Sequence, residues 1–216
     1  MRVTEYCIAM AESMGVAGTE RKSIELAAIL HDVGKIGVPE SILLKKSKLT
    51  DEEFSQIKIH PIKGESIIKQ VVELKNKALI VRAHHERYDG RRYPDGLAKQ
   101  NIPLGVRIMS VADSYDAMTS NRPYRMSLSH NTAVKEIVKN SGTQFDPEVV
   151  EHFLKLADYF NSIKAVILLS HNKCYPVRRI PVHEAFDLLC RESDVHFNWE
   201  IVEAFISFYT ATKMAV

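Results

Sequence analysis

The chain has 216 residues, 29 Lys and Arg against 27 Asp and Glu, and 45% hydrophobic residues. This composition excludes a disordered protein, and a net charge of only +2 gives no basic stripe for DNA. No apolar run approaches the ~18 residues of a membrane helix. Three scattered cysteines predict no disulfide framework, and the N-terminus lacks a signal-peptide pattern, so we expect a cytoplasmic protein.

Apolar residues recur with helical spacing along most of the chain, and no alternating β pattern occurs, so the fold is predicted to be all-α. The first buried helix is predicted over residues 24–30, ending before Gly34. Thr50 and Glu53 form a capping box, which predicts a helix starting near residue 51. Further helices are predicted over 61–72, 76–86, 106–119, 132–139 and 147–160, with a Gly- and Pro-rich loop over 88–103.

The residues beyond about 160 form a predicted C-terminal helical extension. Aligning Phe197 with Phe145 also aligns Glu200 with Glu148, which favours a degenerate second copy of the helix–turn–helix unit at 130–156. Chance similarity between two amphipathic helix pairs is the alternative. We therefore expect a main domain at 1–160 and an extension at 161–216 that covers an apolar face of the main domain.

Histidines and acidic residues stand next to each other at two places in the chain. His31 directly precedes Asp32, and His84 and His85 directly precede a glutamate. Asp113 lies within an apolar helix, where a buried carboxylate needs a cation or several hydrogen-bond donors. Imidazole and carboxylate ligands suit first-row transition metals such as iron, manganese, zinc or nickel.

Six of these side chains are interpreted as metal ligands: His31, Asp32, His60, His84, His85 and Asp113. Because one ion rarely takes more than six ligands, six side chains with room for water indicate two ions. Asp32 is suited to bridge them, since a carboxylate offers two oxygens. A single histidine is more often structural, and the other histidines are expected to be structural or exposed: His130, His152, His171, His183 and His196.

Short motifs follow one another in a single order over about residues 2–156. They read HDVGK at 31–35, HHERYDG at 84–90, YPDGL at 93–97, IPL at 102–104, RI at 107–108, VAD at 111–113, DAMTS at 116–120, RPY at 122–124 and SGTQFDP at 141–147. The first motif resembles the signature of the HD superfamily of metal-dependent phosphohydrolases. The complete series resembles the HD-GYP family within it.

The resemblance implies a helical HD-domain phosphodiesterase with two divalent ions, iron or manganese, held by the six ligands. Such an enzyme hydrolyses cyclic di-GMP or a related cyclic dinucleotide to the linear dinucleotide, GMP or both, through a metal-activated hydroxide. The resemblance implies catalytic roles for Asp32 and Lys35, and substrate contacts from Lys35, Tyr93, Arg122 and Arg125.

Each of these cationic residues also has a simpler structural interpretation. If the helix containing His31 continues, Lys35 lies one turn later on the same side; otherwise it is a solvated lysine at a helix end. Arg122 and Arg125 are suited to phosphate or guanine edges, or they form salt bridges that hold a loop.

Three departures from the family pattern bear on function. The family's upstream Glu and His fall before Met1, so we expect one ion to lack a protein ligand and no third ion to bind. Arg92 replaces the glycine before Tyr93, which is expected to cost about 1 kcal/mol or to redirect the loop. Arg91 and Arg92 also add two cations, which either grip a phosphate or a partner or are simply solvated. The C-terminal extension is a candidate dimerisation or docking surface.

Three functions follow from these patterns. The leading one is a cyclic-dinucleotide phosphodiesterase. The second is a catalytically weakened module that binds a cyclic dinucleotide or docks onto diguanylate cyclase proteins. The third is another nucleotide phosphohydrolase of the HD superfamily, although the long match after Asp113 argues against it. The expected partners are a cyclic dinucleotide, diguanylate cyclase domains and a second copy of the chain, without DNA.

Overall fold

The structure is a computed structural model that describes residues 2–45, 47–120 and 126–171, with side chains to residue 162. These residues form α-helices and short 3₁₀ helices without any strand, which confirms the predicted all-α fold. The α-helices are α1 (Arg2–Ser13), α2 (Gly18–Leu30), α3 (Glu40–Leu43), α4 (Asp51–Lys58), α5 (His60–Ile68), α6 (Ala78–Ala83), α7 (Leu104–Thr119), α8 (His130–Lys139) and α9 (Pro147–His171). The 3₁₀ helices are Val33–Gly37, Val72–Lys77 and Lys99–Asn101.

Polar caps determine where several helices begin. The capping box at α4 is confirmed: the Thr50 hydroxyl accepts from the Glu53 amide, and the Glu53 carboxylate accepts from the Thr50 amide at 2.7 Å. Ser129 accepts from the Thr132 amide at the start of α8. These local hydrogen bonds satisfy amides that have no partner within the helix.

Some helices differ from the sequence-based expectation. The helix expected over 76–86 is instead a 3₁₀ helix, Val72–Lys77, followed by the short α6. The segment 24–30 is helical but not uniformly buried, because Ile29 lies on the outer face and is 54% exposed. Helix α9 continues past residue 160 to His171, and the suggested second helix–turn–helix copy lies outside the described residues.

Aromatic side chains from three helices form the centre of the core. Tyr6 of α1, Tyr115 of α7, and Phe153 and Phe160 of α9 are fully buried and are called the aromatic cluster below. The Tyr6 ring lies 4.6 Å from that of Phe160 and 5.5 Å from that of Tyr115, centroid to centroid. This cluster holds α1, α7 and α9 together by packing of large apolar surfaces.

A pair of glycines allows unusually close contact between the turn after α2 and helix α5. A Cβ atom added at Gly34 would lie 1.9 Å from the His60 carbonyl oxygen and 2.5 Å from the Gly64 amide nitrogen. Only glycine fits there, so this contact fixes the segment containing His31 and Asp32 against the start of α5. Of the helices described, none is long and apolar enough to cross a bilayer.

Candidate metal centre

The histidines predicted as ligands lie at the ends of neighbouring helices. His31 follows the last residue of α2, His60 is the first residue of α5, and His84 and His85 directly follow α6. With Asp32, which leads into the 3₁₀ helix Val33–Gly37, these four histidines converge and are called the histidine centre below. Helix ends from three parts of the chain therefore present imidazole groups to one place.

The ring nitrogens and the carboxylate of the histidine centre approach each other closely. The His60 Nε2 atom lies 3.1 Å from His84 Nε2 and 3.4 Å from Asp32 Oδ1. The His31 Nε2 atom lies 3.5 Å from Asp32 Oδ2. Ligand atoms of His60, His84 and His85 all lie within 4.8 Å of one another. This is the spacing expected when several donors, each about 2.0–2.2 Å from an ion, share that ion.

Backbone carbonyl groups orient three of the imidazole rings. In each case the Nδ1 atom lies within hydrogen-bond distance of the carbonyl oxygen three residues earlier: His31 with Ala28 at 2.8 Å, His60 with Ile57 at 2.7 Å, and His84 with Val81 at 2.6 Å. Because a carbonyl oxygen only accepts, Nδ1 carries the proton in a neutral ring and Nε2 presents a lone pair. Such a backbone bond is the usual outer partner of a metal-binding histidine.

The resulting donor set fits a metal cation. In rings whose Nδ1 atom donates to the backbone, the Nε2 atoms of His60 and His84 face each other and the Asp32 carboxylate, so each Nε2 holds either a lone pair or an exchangeable proton. A cation placed among these atoms displaces such a proton and is coordinated by the lone pairs. Nitrogen with carboxylate oxygen is a donor set typical of first-row transition metals.

Burial keeps two of the rings neutral. Burial lowers the pKa of His84 well below its ordinary value, and the neighbouring His85 lowers it further. Burial, followed by the charges of His60 and Arg92, lowers the pKa of His85 to about 3. Neutral imidazole is the form that binds metal, so both rings are available as ligands at neutral pH.

Asp32 is ionised and lies at the middle of the charge network. Partial burial raises its pKa, but the His31 and His60 rings and the charge of Lys35 outweigh burial and hold the pKa far below its usual range. Burial and the Asp32 carboxylate also act in opposite directions on His31. Burial lowers the pKa of His31, but the contact with Asp32 outweighs burial and leaves that pKa raised. A cation that binds here therefore competes with a proton at His31.

Lys35 reaches the histidine centre through a 3₁₀ helix rather than an α-helix. Helix α2 ends at Leu30, so the condition under which Lys35 would lie one α-helical turn beyond His31 is not met. The tighter 3₁₀ helix instead carries the Lys35 Nζ atom to 2.5 Å from Asp32 Oδ2. The lysine side chain is 41% exposed, so its ammonium group lies between the carboxylate and solvent.

Asp113 and Tyr93 lie next to the histidine centre. A cavity of about 140 Å³ is lined by Asp113 of α7 together with His84 and His85. The Tyr93 ring centroid lies 5.1 Å from that of His85. Arg122 and Arg125, the other expected substrate contacts, lie outside the described residues.

Sequence reasoning missed the residues that hold the loop bearing Tyr93. Glu86 is only 2% exposed, and its Oε1 atom accepts from the amides of Asp95 at 2.7 Å and Gly96 at 3.0 Å. Arg82 donates to Asp95 and to Glu65 of α5, each at 2.7 Å. The sequence did offer one indication of the role of Glu86, because this acidic residue stands directly before a Gly- and Pro-rich loop. Nothing local marked Arg82, because its partners are distant in sequence.

Arg92 does not adopt the conformation that its replacement of a glycine suggested. Among the described residues, the left-handed non-glycine position is Lys99, with φ 53°. Gly90 and Gly96, with φ 75° and 69°, provide the left-handed turns of this loop. The strain expected at Arg92 is therefore not found.

Comparison with known proteins identifies the family. The model of the HD domain family matches residues 1–149, well over half of the chain. The chain belongs to the HD domain family. HD domain phosphohydrolases are metal-dependent, in keeping with the donor set described above.

Relatives with established names support the HD-GYP assignment made from the motifs. The chain is 42% identical over 156 residues to the cyclic di-GMP phosphodiesterase response regulator RpfG of Xanthomonas campestris, covering 71% of this chain and 41% of that protein. It is 46% identical over 149 residues to a cyclic di-GMP phosphodiesterase of Thermotoga maritima, and the match covers 68% of this chain and 40% of that protein. It is 34% identical over 168 residues to the 3′3′-cGAMP-specific phosphodiesterase 2 of Vibrio cholerae, and the match covers 76% of this chain and 32% of that protein. The chain thus spans well under half the length of these relatives.

A solved structure shares the fold. The crystal structure of a cyclic GMP-AMP-specific phosphodiesterase of V. cholerae, V-cGAP3, superposes with a TM-score of 0.58 at 16% sequence identity. The match covers 74% of this chain and 44% of that one. At this identity the comparison bears on the helical architecture alone.

Proposed function

We propose that this chain is a metal-dependent phosphodiesterase that hydrolyses cyclic di-GMP, or a related cyclic dinucleotide, to the linear dinucleotide, GMP or both. The observation that carries the proposal is the convergence of His60 Nε2, His84 Nε2 and the Asp32 carboxylate within 4 Å. Relatives named for cyclic di-GMP and for 3′3′-cGAMP support the substrate class. A cytoplasmic location remains a prediction.

Six side chains are proposed to hold two divalent ions, iron or manganese: His31, Asp32, His60, His84, His85 and Asp113. Asp32 is the candidate bridge, since its two oxygens face different histidines: Oδ1 lies 3.4 Å from His60, and Oδ2 lies 3.5 Å from His31. When bound, such ions supply Lewis acidity and a hydroxide nucleophile at neutral pH.

Protein groups around the ions orient the substrate and balance its charge. Lys35 carries its ammonium group beside Asp32 and is partly exposed, so it is placed to stabilise charge that develops on phosphate oxygens. Tyr93, packed against His85, offers an aromatic face next to the centre. Arg122 and Arg125 are proposed as further phosphate contacts on the strength of the family motif alone.

The weakened binding module is the competing proposal, and metal content separates the two. We propose to purify the protein anaerobically, measure its metals by elemental analysis, and assay cyclic di-GMP, 3′3′-cGAMP and cyclic di-AMP with added Mn²⁺ or Fe²⁺. About two ions per chain and turnover of at least one substrate are expected. The variant His85→Ala is expected to lose metal and activity together, whereas His152→Ala is expected to keep both, because His152 bonds Ser13 outside the centre.

Two results would contradict the proposed phosphodiesterase activity. Metal-loaded protein that binds these nucleotides without cleaving them would favour the binding module. Protein that takes up no metal would remove the basis for the proposed ligand set. Docking onto diguanylate cyclase proteins and homodimer formation remain predictions, and pull-down and sedimentation measurements would test them.

A further inference from the structure

A second polar cavity opens beside the histidine centre. Its volume is about 580 Å³, and its walls come from α4 and from the segment that follows His85. Two aromatic rings and four cationic side chains line it against one carboxylate. We call it the cationic groove; its lining residues are Phe54, Lys58, Arg87, Asp89, Arg91, Arg92 and Tyr93.

Most of the positive charge in the cationic groove is not neutralised. Arg87 pairs with Asp89, with Nε 3.1 Å from Oδ1 and Nη2 2.9 Å from Oδ2, so the single carboxylate is already engaged. Lys58, Arg91 and Arg92 form no salt bridge with any residue in the described part of the chain. Three uncompensated cations in one concave surface favour an anionic ligand.

Aromatic rings support two of these cations. The Lys58 Nζ atom lies 4.7 Å from the centre of the Phe54 ring, and the Arg92 guanidinium lies 5.8 Å from the centre of the Tyr93 ring. Such contacts hold a cationic side chain over a ring face without consuming its hydrogen-bond donors. The groove therefore combines available donors with flat apolar surfaces, as a nucleotide requires.

The cationic groove continues into the histidine centre. Tyr93 lines the groove and packs its ring 5.1 Å from that of His85. Arg92 lines both the groove and the smaller cavity shared by Asp113, His84 and His85. A ligand that spans Arg92 can thus occupy the groove and the centre together.

We propose that the cationic groove binds the second phosphodiester of the substrate, the one that is not cleaved, with Arg91 and Arg92 as its principal contacts and Lys58 as an additional cation. The inference rests on the proposed function, since a cyclic dinucleotide carries two phosphodiesters and only one is cleaved at a time. The other needs positive charge where no metal ligands are present. Arginine suits this task because its planar guanidinium binds phosphate oxygens in pairs.

The position of Arg92 makes this subsite a feature of this chain rather than of the family motif. Glycine, which the family motif has before Tyr93, brings no charge to the groove wall. Arg92 supplies a guanidinium there without left-handed backbone strain. Arg91 and Arg92 are therefore specificity-determining residues for substrates with a second phosphate.

The test compares two substrates in a double variant. Arg91→Gln/Arg92→Gln is expected to raise the KM for cyclic di-GMP about tenfold. The change in KM for bis(p-nitrophenyl) phosphate, which has one phosphodiester only, is expected to be at least fivefold smaller.

The matched control Lys22→Gln/Lys139→Gln removes the same charge from exposed positions without described ion pairs. The KM values for both substrates are expected to stay within about twofold of those of the unaltered protein. Circular dichroism checks that each variant folds, and Arg92→Gly provides a second, family-like variant with the same expected direction.

Equilibrium binding separates failure of the inference from failure of the proposed function. Equal losses on both substrates, or an unchanged KM for cyclic di-GMP, would overturn the subsite while leaving the enzyme intact. If the unaltered protein cleaves neither substrate, the proposed function fails. In that case, binding of cyclic di-GMP is measured with chelator-treated protein. If the Arg91→Gln/Arg92→Gln variant binds about tenfold more weakly than the unaltered protein, the subsite is supported. If the two bind equally, or if the unaltered protein does not bind, the subsite is overturned.

Discussion

The aromatic cluster and the histidine centre are both groups of four rings packed between helices, but they are stabilised differently. In the aromatic cluster, ring centroids lie 4.6–6.2 Å apart, and the Tyr115 hydroxyl, at the rim, bonds His130 Nδ1 at 2.8 Å. In the histidine centre, ring centroids lie as close as 4.1 Å, and the Nε2 atoms of His60 and His84 face each other at 3.1 Å. The first arrangement is stabilised by packing of aromatic rings, whereas the second gathers nitrogen and oxygen donors of the kind that bind a cation.

This difference separates stability from function in the molecule. The aromatic cluster binds α1, α7 and α9 into a core, and its apolar contacts tolerate no polar insertion. The histidine centre is held from outside, by backbone carbonyl groups and by the Gly34 contact with α5. The fold can therefore hold several titratable side chains close together because the core stabilises the helices that carry them.

The largest expected effect lies in the aromatic cluster. Phe153→Ala removes a fully buried ring and is expected to lower the free energy of unfolding by about 3–5 kcal/mol. Urea titration measures this, with Leu154→Ala, exposed on the same helix, expected to change stability by less than about 0.5 kcal/mol. The folded variant is expected to keep its metal, and parallel loss of metal would show that the two regions are coupled.

Lys35→Ala tests the histidine centre without removing a ligand. Loss of its ammonium group is expected to lower kcat about 10²–10³-fold, or about 2.7–4 kcal/mol of activation free energy, because charge on the phosphate loses a stabilising partner. Elemental analysis is expected to give unchanged metal, and the exposed Lys48→Ala serves as the control. If Lys35→Ala loses metal too, the lysine holds the centre together rather than acting on substrate.

Metal binding is expected to stabilise the histidine centre and hence the fold. At a free Mn²⁺ concentration of 100 times Kd, the free energy of unfolding should rise by about 2.7 kcal/mol. His84→Ala is expected to abolish this increase, while His152→Ala keeps it. A similar Mn²⁺ effect in both variants would place the ion elsewhere.

The smallest effect concerns Arg82, which connects α5 and α6 to the loop bearing Tyr93. The bond from Arg82 lowers the pKa of Asp95. Burial raises the pKa of Glu65, but the bonds from Lys69 and Arg82 outweigh burial and leave that pKa lowered. Both carboxylates therefore contribute stability above their unfolded pKa values, and this contribution is lost as the pH falls through the lower folded values.

Arg82→Gln is accordingly expected to reduce the free energy of unfolding by about 1 kcal/mol at pH 7, with the difference from the unaltered protein shrinking below about pH 4. Unfolding measured from pH 3 to 7 checks this. Lys155→Gln, which removes an exposed pair with Glu151, is expected to change stability less. A difference that grows at low pH would contradict the assigned ion pairs.

Local chemistry in the sequence was sufficient for the helices that depend on it. Thr50 and Glu53 predicted the start of α4, and the apolar spacing predicted α7 to within two residues at its start. The motif series was sufficient to indicate the family and to single out the ligand candidates. These features are readable because helix caps and helical faces depend on residues within about one turn of each other.

Tertiary structure alone decided how those residues meet. The 3.1 Å approach of His60 to His84 and the close contact of Gly34 with α5 depend on segments far apart in sequence. The same holds for the groove that joins Lys58 of α4 to Arg92. The sequence by itself determined which side chains are candidates for the chemistry, since residue type sets charge and donor character. Only packing between helices determined their distances, because long-range contacts depend on the whole core rather than on any one segment.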